Sequence, residues 1–364
     1  MKIGKKLGSM LLCAFLLLTF TGCTGRELYE RLLIHGIGVD KEVDGSYTVT
    51  VRSSVSTEDE GEEYFKCQGK SVLEALNSLS LSTGRKPFYA HNYLVVFGKK
   101  CAEQGLDGCL DFFVRYYNTR PAVQMYLAEG KAEDILSFQK DGKYLKMGEL
   151  QQLGDSSRDT GRAASTEILD FVAGVKRQGF SPVLPVLQAE EDGVKIVSTA
   201  YFDNYALKGA LTLNETRGYL AVKEKLKNGE AVVEAGGNLG TVTLSLSDGC
   251  GKISRRESRN DLPGFLLQAQ VTGDVSAVSG EKELLTEEDY LRLEQLLAEE
   301  LQGEIEEALN KTVRTDSCDI FGFGALLYRE EPNTWRQISG EWKTLMTQCS
   351  YEIEVTAKVS RLAQ

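Results

Sequence analysis

The feature that most constrains this chain is a single apolar run near its N-terminus, centred on residues 11–20. Between Lys6 and Cys23 the run has about sixteen residues, whereas a helix that crosses the hydrocarbon of a bilayer needs roughly twenty. No second run of membrane length follows it. The sequence therefore predicts that everything after this segment folds as a water-soluble body.

The run has the three parts of a secretory signal. Three lysines precede it, and the small residues Thr21 and Gly22 follow it. Cys23 comes directly afterwards, so the stretch "FTGC" resembles a bacterial lipobox, in which the Cys thiol is linked to diacylglycerol and cleavage makes that Cys the new N-terminus. Residues 1–22 are predicted to be a lipoprotein signal peptide, and Cys23 is predicted to carry the lipid.

An ordinary secretory signal with an incidental Cys is the alternative. Phe20 stands three residues before Cys23, where lipoprotein signals usually have Leu or another aliphatic residue. Energetics favour the anchor, because two acyl chains at roughly 0.8 kcal/mol per buried CH₂ hold a protein stably at a membrane, whereas one chain holds it marginally.

Length and charge limit the classes of protein that remain. Without the signal, the 364-residue chain is still long enough for two or three domains with their own cores. A cluster of acidic residues and a glycine at 190–193 predicts a module boundary nearby, giving modules 23–195 and 196–364. The net charge of −11 disfavours nucleic acid as a partner, because phosphate binding needs clustered Lys and Arg.

Six cysteines follow Cys23. None is spaced as C-x-x-C, and their density is below that of a disulfide scaffold. Free buried thiols are predicted, and the export signal leaves one or two disulfides possible without a choice among the pairings. The six are Cys67, Cys101, Cys109, Cys250, Cys318 and Cys349.

Hydrophobic periodicity in the first half of the chain predicts alternating strands and helices. A hairpin turns at Asp44-Gly45, a helix covers residues 71–83, and a buried strand covers residues 88–98. Residues 139–165 are polar and contain several glycines, so they are predicted to form a long mobile excursion on the surface.

The second half combines strands with one long helix. Glycine-punctuated strands follow residue 230, and Thr286 with Asp289 is predicted to cap an amphipathic helix whose glutamates, Glu300 and Glu304 among them, form a solvated face. A helical segment and an alternating strand close the sequence. The predicted fold class is α/β (mixed α+β) and multi-domain, with several mixed sheets, flanking helices and one long C-terminal-half amphipathic helix.

The chain lacks the residue patterns of common enzymes. His35 and His91, its two histidines, both lie in predicted strands among apolar neighbours, which is more typical of core or edge histidines than of bases or ligands. No G-x-S-x-G elbow and no zinc-like cluster is present. No catalytic residue, metal or cofactor is predicted.

Two glycine pairs need an explanation. Gly36 and Gly38, and likewise Gly322 and Gly324, are each separated by one residue, but neither pair continues as the G-x-G-x-x-G of a dinucleotide-binding loop. Tight turns are the predicted explanation for both.

Three stretches carry a resemblance in the order of the chain. They are "RELYERLLIHGIGVDKE" after Cys23, "AHNYLVVFGKKCAEQGLDGCLDFFVRYYNTRP", and "SCDIFGFGALLYREEPNTW". Together they resemble the Ger(x)C family, the lipoprotein C subunits of nutrient germinant receptors in endospore-forming bacteria. The matching positions are Arg26, Glu27, Gly36, Gly38 and Asp40, then His91, Gly105, Leu110, Asp111 and Arg115, then residues 319–324 with Trp335 and Trp342.

This resemblance implies a mixed α/β lipoprotein of several domains on the outer face of the spore's inner membrane. It implies an integral-membrane A subunit and a transporter-like B subunit as partners in nutrient sensing, and a family with no known enzymatic activity. The alternative is a lipid-anchored solute-binding protein that delivers a nutrient to a transporter. Such a protein needs two similar lobes around a cleft, and the sequence has no two halves of comparable pattern.

The stretch "DIFGFG" is the candidate structural or partner motif, with Asp319, Phe321, Gly322, Phe323 and Gly324 as its candidate residues. If the segment is extended, the two Phe side chains lie on one side, while the glycines allow a close backbone approach. A packed turn between the long helix and the closing elements is preferred over a face that docks a partner.

Overall fold

Two main β-sheets organise this chain, and the core of the second sheet includes buried residues of the first, among them Val183 and Tyr201. A computed structural model describes residues 31–54, 61–116, 122–223, 226–259, 262–282 and 284–360. Within these residues, a nine-stranded mixed sheet is followed along the chain by a four-stranded sheet. This mixed α+β architecture confirms the predicted fold class.

The described strands are numbered in chain order. They are β1 (Arg31–Lys41), β2 (Tyr47–Ser54), β3 (Glu62–Gly69), β4 (Lys86–Phe88), β5 (Leu94–Phe97), β6 (Gln124–Ala128), β7 (Gln139–Lys140), β8 (Lys143–Tyr144), β9 (Val183–Glu190), β10 (Gly193–Asp203), β11 (Ala206–Leu211), β12 (Asn228–Gly236), β13 (Gly240–Arg259), β14 (Leu262–Val278) and β15 (Ser350–Ser360).

The described helices are numbered in the same way. They are α1 (Val72–Thr83), α2 (Lys99–Gln104), α3 (Asp107–Arg115), α4 (Ala132–Leu136), α5 (Met147–Asp159), α6 (Ile168–Lys176), α7 (Leu213–Val222), α8 (Glu287–Leu309), α9 (Phe323–Glu330), α10 (Pro332–Ile338) and α11 (Trp342–Leu345).

Strand β1 is central to the larger sheet, whose order is β11-β10-β9-β6-β5-β1-β2-β3 with β4 beside β1. It pairs antiparallel with β2 and parallel with β5. The hairpin predicted around Asp44-Gly45 is confirmed, and Gly45 takes a positive φ of 85° there. Strand β10 also belongs to this sheet and crosses position 195, where the sequence predicts the module boundary.

The strand predicted over residues 88–98 is wrong in extent. β4 ends at Phe88 and β5 begins at Leu94, because a turn closed by the Asn92 N–H on the Tyr89 carbonyl (3.0 Å) separates them. His91 lies in this turn and is exposed. The helix predicted over residues 71–83 is confirmed as α1, which Ser71 caps.

The mobile excursion predicted for residues 139–165 is also wrong. This region contains the small β7–β8 hairpin and helix α5, in which Met147 and Leu150 are buried against the sheet. Because the buried stripe of α5 is narrow and most of its other residues are polar, its periodicity is hard to detect in the sequence.

The second sheet has the order β12-β13-β14-β15. β13 and β14 form a long antiparallel hairpin, and β15 joins β14 in parallel, from Gly264 opposite Ser350 to Asp274 opposite Ser360. The predicted long helix is confirmed as α8, and Thr286 and Asp289 form its capping box. α8 presents its apolar stripe to the core of this sheet and continues into a π-helix, Asn310–Thr315.

The six cysteines of the described chain carry free thiols. Five are buried, as predicted, but Cys250 on β13 is exposed, which corrects the prediction for that residue.

Candidate functional site

Residues 319–324 form a buried turn between the π-helix and α9, which we call the Asp319 turn. Asp319 is 4 % exposed, Phe321 is 2 % exposed and Phe323 is fully buried. Gly322 takes a left-handed conformation, with φ of 79°, and α9 begins at the next residue. The segment is therefore bent at Gly322 and not extended.

The Asp319 carboxylate organises this turn. Oδ1 accepts hydrogen bonds from the backbone N–H groups of Gly322 (2.7 Å) and Phe323 (2.9 Å). Oδ2 accepts from the N–H of Gly324 (2.7 Å) and from Nε1 of Trp342 (3.1 Å). The first N–H groups of a helix lack hydrogen-bond acceptors within that helix. At the start of α9, the Asp319 carboxylate provides these acceptors.

These contacts decide what Asp319 does chemically. Burial raises the pKa of Asp319 above its ordinary value of 3.8, while the four N–H donors oppose that rise because they favour the charged carboxylate. Both oxygens are occupied by donors that build the turn. The arrangement is that of a structural helix cap, in which both carboxylate oxygens already accept hydrogen bonds.

The two Phe rings of the turn lie in the core of the second sheet. Phe323 contacts Phe265 and Tyr351, each with ring centroids 4.7 Å apart. Phe321 packs against Tyr219 of α7, with centroids 5.7 Å apart. The turn thereby joins α7, β14 and β15.

A loop of residues 178–181, which enters β9 of the first sheet, docks on the Asp319 turn. The N–H of Ser181 donates to the carbonyl of Asp319 (2.9 Å), and the N–H of Ala325 donates to the carbonyl of Gly179 (3.0 Å). Nε1 of Trp335 donates to Oε1 of Gln178 (2.8 Å). The turn is thus a junction between the two sheets.

The junction requires glycine on both sides. A Cβ added to Gly324 would lie 2.6 Å from Nε1 of Trp342 and 2.7 Å from Cα of Gly179. A Cβ on Gly179, whose φ is 63°, would lie 2.5 Å from the carbonyl carbon of Gly324. No side chain fits at either position without moving backbone.

Asp40, in the first of the three motif stretches, also caps a helix through its carboxylate. Asp40 at the end of β1 is buried, and its carboxylate accepts hydrogen bonds from the N–H groups of Ala132 (2.8 Å) and Glu133 (2.9 Å) at the start of α4. The predicted tight turn at Gly36 and Gly38 is wrong, because both lie within β1. A Cβ on Gly38 would meet that of Ala132 at 3.2 Å, so this glycine lets α4 pack against the strand.

The remaining motif positions do not assemble into a reactive centre. His35 is half-buried in β1, with Nδ1 3.3 Å from a Glu62 carboxylate oxygen, whereas His91 is exposed in its turn. Asp111 and Arg115 pair on the exposed face of α3. Among the residues that the structure describes, no group of three His, Cys, Asp or Glu side chains is placed to hold a metal ion.

Some predicted and some unpredicted residues need separate mention. Cys23, Arg26 and Glu27 lie outside the described residues. Gln178 and Gly179 are essential to the junction but were not predicted from the sequence, where the only local signal is a glycine in the short "RQGFSP" connection before β9.

Each half of the chain matches a known protein family. Residues 24–189 match the family described as "Spore germination protein N-terminal domain", and residues 198–363 match "Spore germination B3/ GerAC like, C-terminal". This chain belongs to the Ger(x)C family of spore germination proteins. Membership indicates a role in spore germination.

Ger(x)C relatives align over most of their length. Spore germination protein KC of Bacillus subtilis (strain 168) is 25% identical over 352 residues, which cover 87% of this chain and 86% of the relative. Spore germination protein B3 of the same organism is 21% identical, with 95% of each chain covered.

A solved Ger(x)C-like structure has the same fold. The structure titled "Crystal Structure of the GerBC protein" superposes with a TM-score of 0.58 at 16% identity, covering 90% of this chain and 97% of the other. Within the described part of this chain, no helix is both long enough and apolar enough to cross a bilayer.

Proposed function

We propose that this chain is the lipid-anchored C subunit of a spore nutrient germinant receptor, acting with integral-membrane A and B subunits. The observation that carries the proposal is the ordered match of both halves of the chain to the two germination-protein families. The anchor is Cys23, on the extracytoplasmic face of the spore's inner membrane. Confinement to that membrane raises the effective concentration of the subunit near its partners.

In this proposal the subunit is not an enzyme and carries no cofactor. The carboxylates at its most distinctive motifs, Asp40 and Asp319, cap helices through backbone N–H donors and serve the fold. The likeness of the fold to a structure titled GerBC gives further support.

The architecture does not favour the solute-binding alternative. That function needs two similar lobes facing each other across a cleft. The two sheets of the described chain differ in size and pairing, since one has nine mixed strands and the other has four.

The anchor is tested by mass spectrometry of the mature N-terminus. We expect a diacylglyceryl group on Cys23 and release of Cys23→Ala from the membrane fraction. Cys250→Ala is the matched control because Cys250 is an exposed thiol of the described chain, and it should remain in the membrane fraction. An unmodified N-terminus at another residue contradicts the anchor.

The receptor assignment is tested separately by affinity purification from detergent-solubilised spores. We expect the tagged chain to co-purify with integral-membrane A and B receptor subunits. Co-purification with an ABC permease instead would support the solute-binding alternative.

A further inference from the structure

An open basic groove lies beside the Asp319 turn in this otherwise acidic protein. It has a volume of about 590 Å³, and the buried residues Phe321 and Leu326 are among those that line it. Glu330 is the one carboxylate among its described lining residues. The five cations that line it are Arg177, Lys223, Lys252, Arg255 and Arg329.

Two of these cations are available to a ligand. Arg177 and Lys252 are exposed, and neither forms an ion pair with any carboxylate in the described part of the chain. Arg255 and Arg329, in contrast, pair with Glu331 (2.9 Å) and Glu330 (3.0 Å). A ligand with carboxylates can therefore gain new charge pairs with two residues without breaking existing ones.

The groove also meets an open edge of a β-strand. The pairing of β12 with β13 stops at Asn228 opposite Ser247, while β14 continues along the other edge of β13. Gly251 packs against the end of α7. Beyond it, residues 252–256 have no described strand on the side of β13 where β12 pairs earlier along the strand.

The residues of β13 that line the groove indicate that it reaches this edge of the sheet. Successive side chains of a strand point to opposite faces, so a cavity above one face meets alternate residues. This groove is lined by five consecutive residues, 251–255. It therefore runs along the edge, where unpaired backbone N–H and C=O groups can accept another strand.

We propose that the basic groove binds an extended acidic segment of a partner protein, which adds to the edge of β13 as a further strand. The strand edge supplies backbone hydrogen bonds, and Arg177 and Lys252 pair with the acidic side chains. A polypeptide supplies both kinds of contact, whereas a lipid headgroup has no backbone to pair with the edge. The chain has a net charge of −11, so most of its surface should repel an acidic partner. The cationic groove should attract such a partner.

The binding test uses the full-length expressed protein in detergent and a short fluorescent peptide that alternates valine and glutamate. We expect saturable binding by fluorescence polarisation that weakens as salt is added, and no binding of the matched valine–lysine peptide. N-methylation of the acidic peptide along one edge should weaken binding by about tenfold or more, because it removes backbone donors.

Variants of the groove supply the second arm. Lys252→Glu and Arg177→Glu should each weaken binding of the acidic peptide by about tenfold, because each replaces an attraction with a repulsion. Lys358→Glu is the matched control: it changes the same charge at an exposed position of β15 and should leave affinity unchanged. Thermal unfolding of all three variants should match that of the parent protein, since all three side chains are exposed.

Four results would overturn the proposal. They are absence of binding by the acidic peptide, equal effects of Lys252→Glu and Lys358→Glu, full binding of the N-methylated peptide, and self-association in sedimentation that Lys252→Glu abolishes. The last result would assign the groove to a second copy of this chain. The groove is independent of the receptor assignment, so loss of A and B co-purification leaves this test intact.

Discussion

At the scale of single residues, two buried aspartates cap helices and stabilise the fold. Asp40 reaches from a strand to the start of α4, which lies far along the chain, whereas Asp319 closes a local turn at the start of α9. In both places a glycine makes room: a Cβ on Gly98 would lie 2.0 Å from Oδ1 of Asp40, and Gly324 lies against Gly179. Asp40 and Asp319 are therefore capping carboxylates, and neighbouring glycines let the backbone approach them.

Alanine substitutions at two helical glycines should have opposite effects on stability. Gly324→Ala should destabilise the protein by about 1–3 kcal/mol or more, because its Cβ would overlap Trp342 and Gly179. Gly303→Ala in α8 should stabilise it by about 0.5–1 kcal/mol, because the space around Gly303 is open and alanine favours the helix. Denaturant unfolding measures both changes. Equal effects of the two substitutions would show that the junction does not constrain Gly324.

Sequence reasoning found these motif residues without finding their roles. The pattern "DIFGFG" indicated a packed turn, but the donors to Asp319 include Trp342, and the backbone that fills the space over Gly324 belongs to residue Gly179. Both partners are distant in sequence and carry no periodic signal. Such long-range contacts depend on how the elements pack, which local patterns in a single sequence do not reveal.

At the scale of secondary-structure elements, an ion pair joins α7 to α8. The guanidinium of Arg217 is buried and donates to both carboxylate oxygens of Glu304 (2.6 and 2.7 Å), and also to Glu300. Gly218 brings the two helix backbones together, since a Cβ there would lie 2.4 Å from the carbonyl carbon of Glu304. The predicted solvated face of α8 is therefore wrong at Glu304, which is 6 % exposed. Amphipathic periodicity placed α8 correctly, but it does not identify a charged residue that has a buried partner on another helix.

Removing Arg217 should be far more costly than removing a surface arginine. Arg217→Met should lower the free energy of unfolding by about 3–5 kcal/mol, because it leaves a buried carboxylate without its counter-charge. The double variant Arg217→Met with Glu304→Leu should recover most of that loss. Arg329→Met is the matched control, since its pair with Glu330 is exposed and should contribute less than about 1 kcal/mol. A loss at Arg217 no larger than that at Arg329 would contradict the buried pair.

At the scale of the whole molecule, the two sheets are joined through the Asp319 turn and the loop of residues 178–181. Ser181 and Gly179 bond to backbone on the far side of the junction, and β10, which crosses the predicted module boundary, stays within the first sheet. The mixed architecture and the long helix were predictable from periodicity. The junction was not, because it depends on backbone contacts between segments that are far apart in sequence.

The body of the protein should fold without its anchor and unfold as one unit. Residues 25–364, expressed alone, should remain in solution without detergent, because α8 and its neighbours are amphipathic and bury their apolar faces internally. A single thermal transition should be seen by both circular dichroism and tryptophan fluorescence, since Trp335 and Trp342 report on the junction. Two separated transitions, or dependence on detergent, would contradict this prediction.

Because β15 lies far after β14 in the chain, the pairing of these two strands forms late during synthesis. During synthesis the ribosome releases β12, β13 and β14 first, then all of α8 and the junction helices, and β15 only after them. Until β15 arrives, one edge of β14 stays open and the core beneath it stays unsealed. Contacts that close so late and over such long sequence separation form slowly, so the nascent chain passes through a stage in which this edge is exposed to other chains. We therefore expect a chain truncated before Ser350, as a stalled ribosome would release it, to expose this edge of β14 and to associate with other chains.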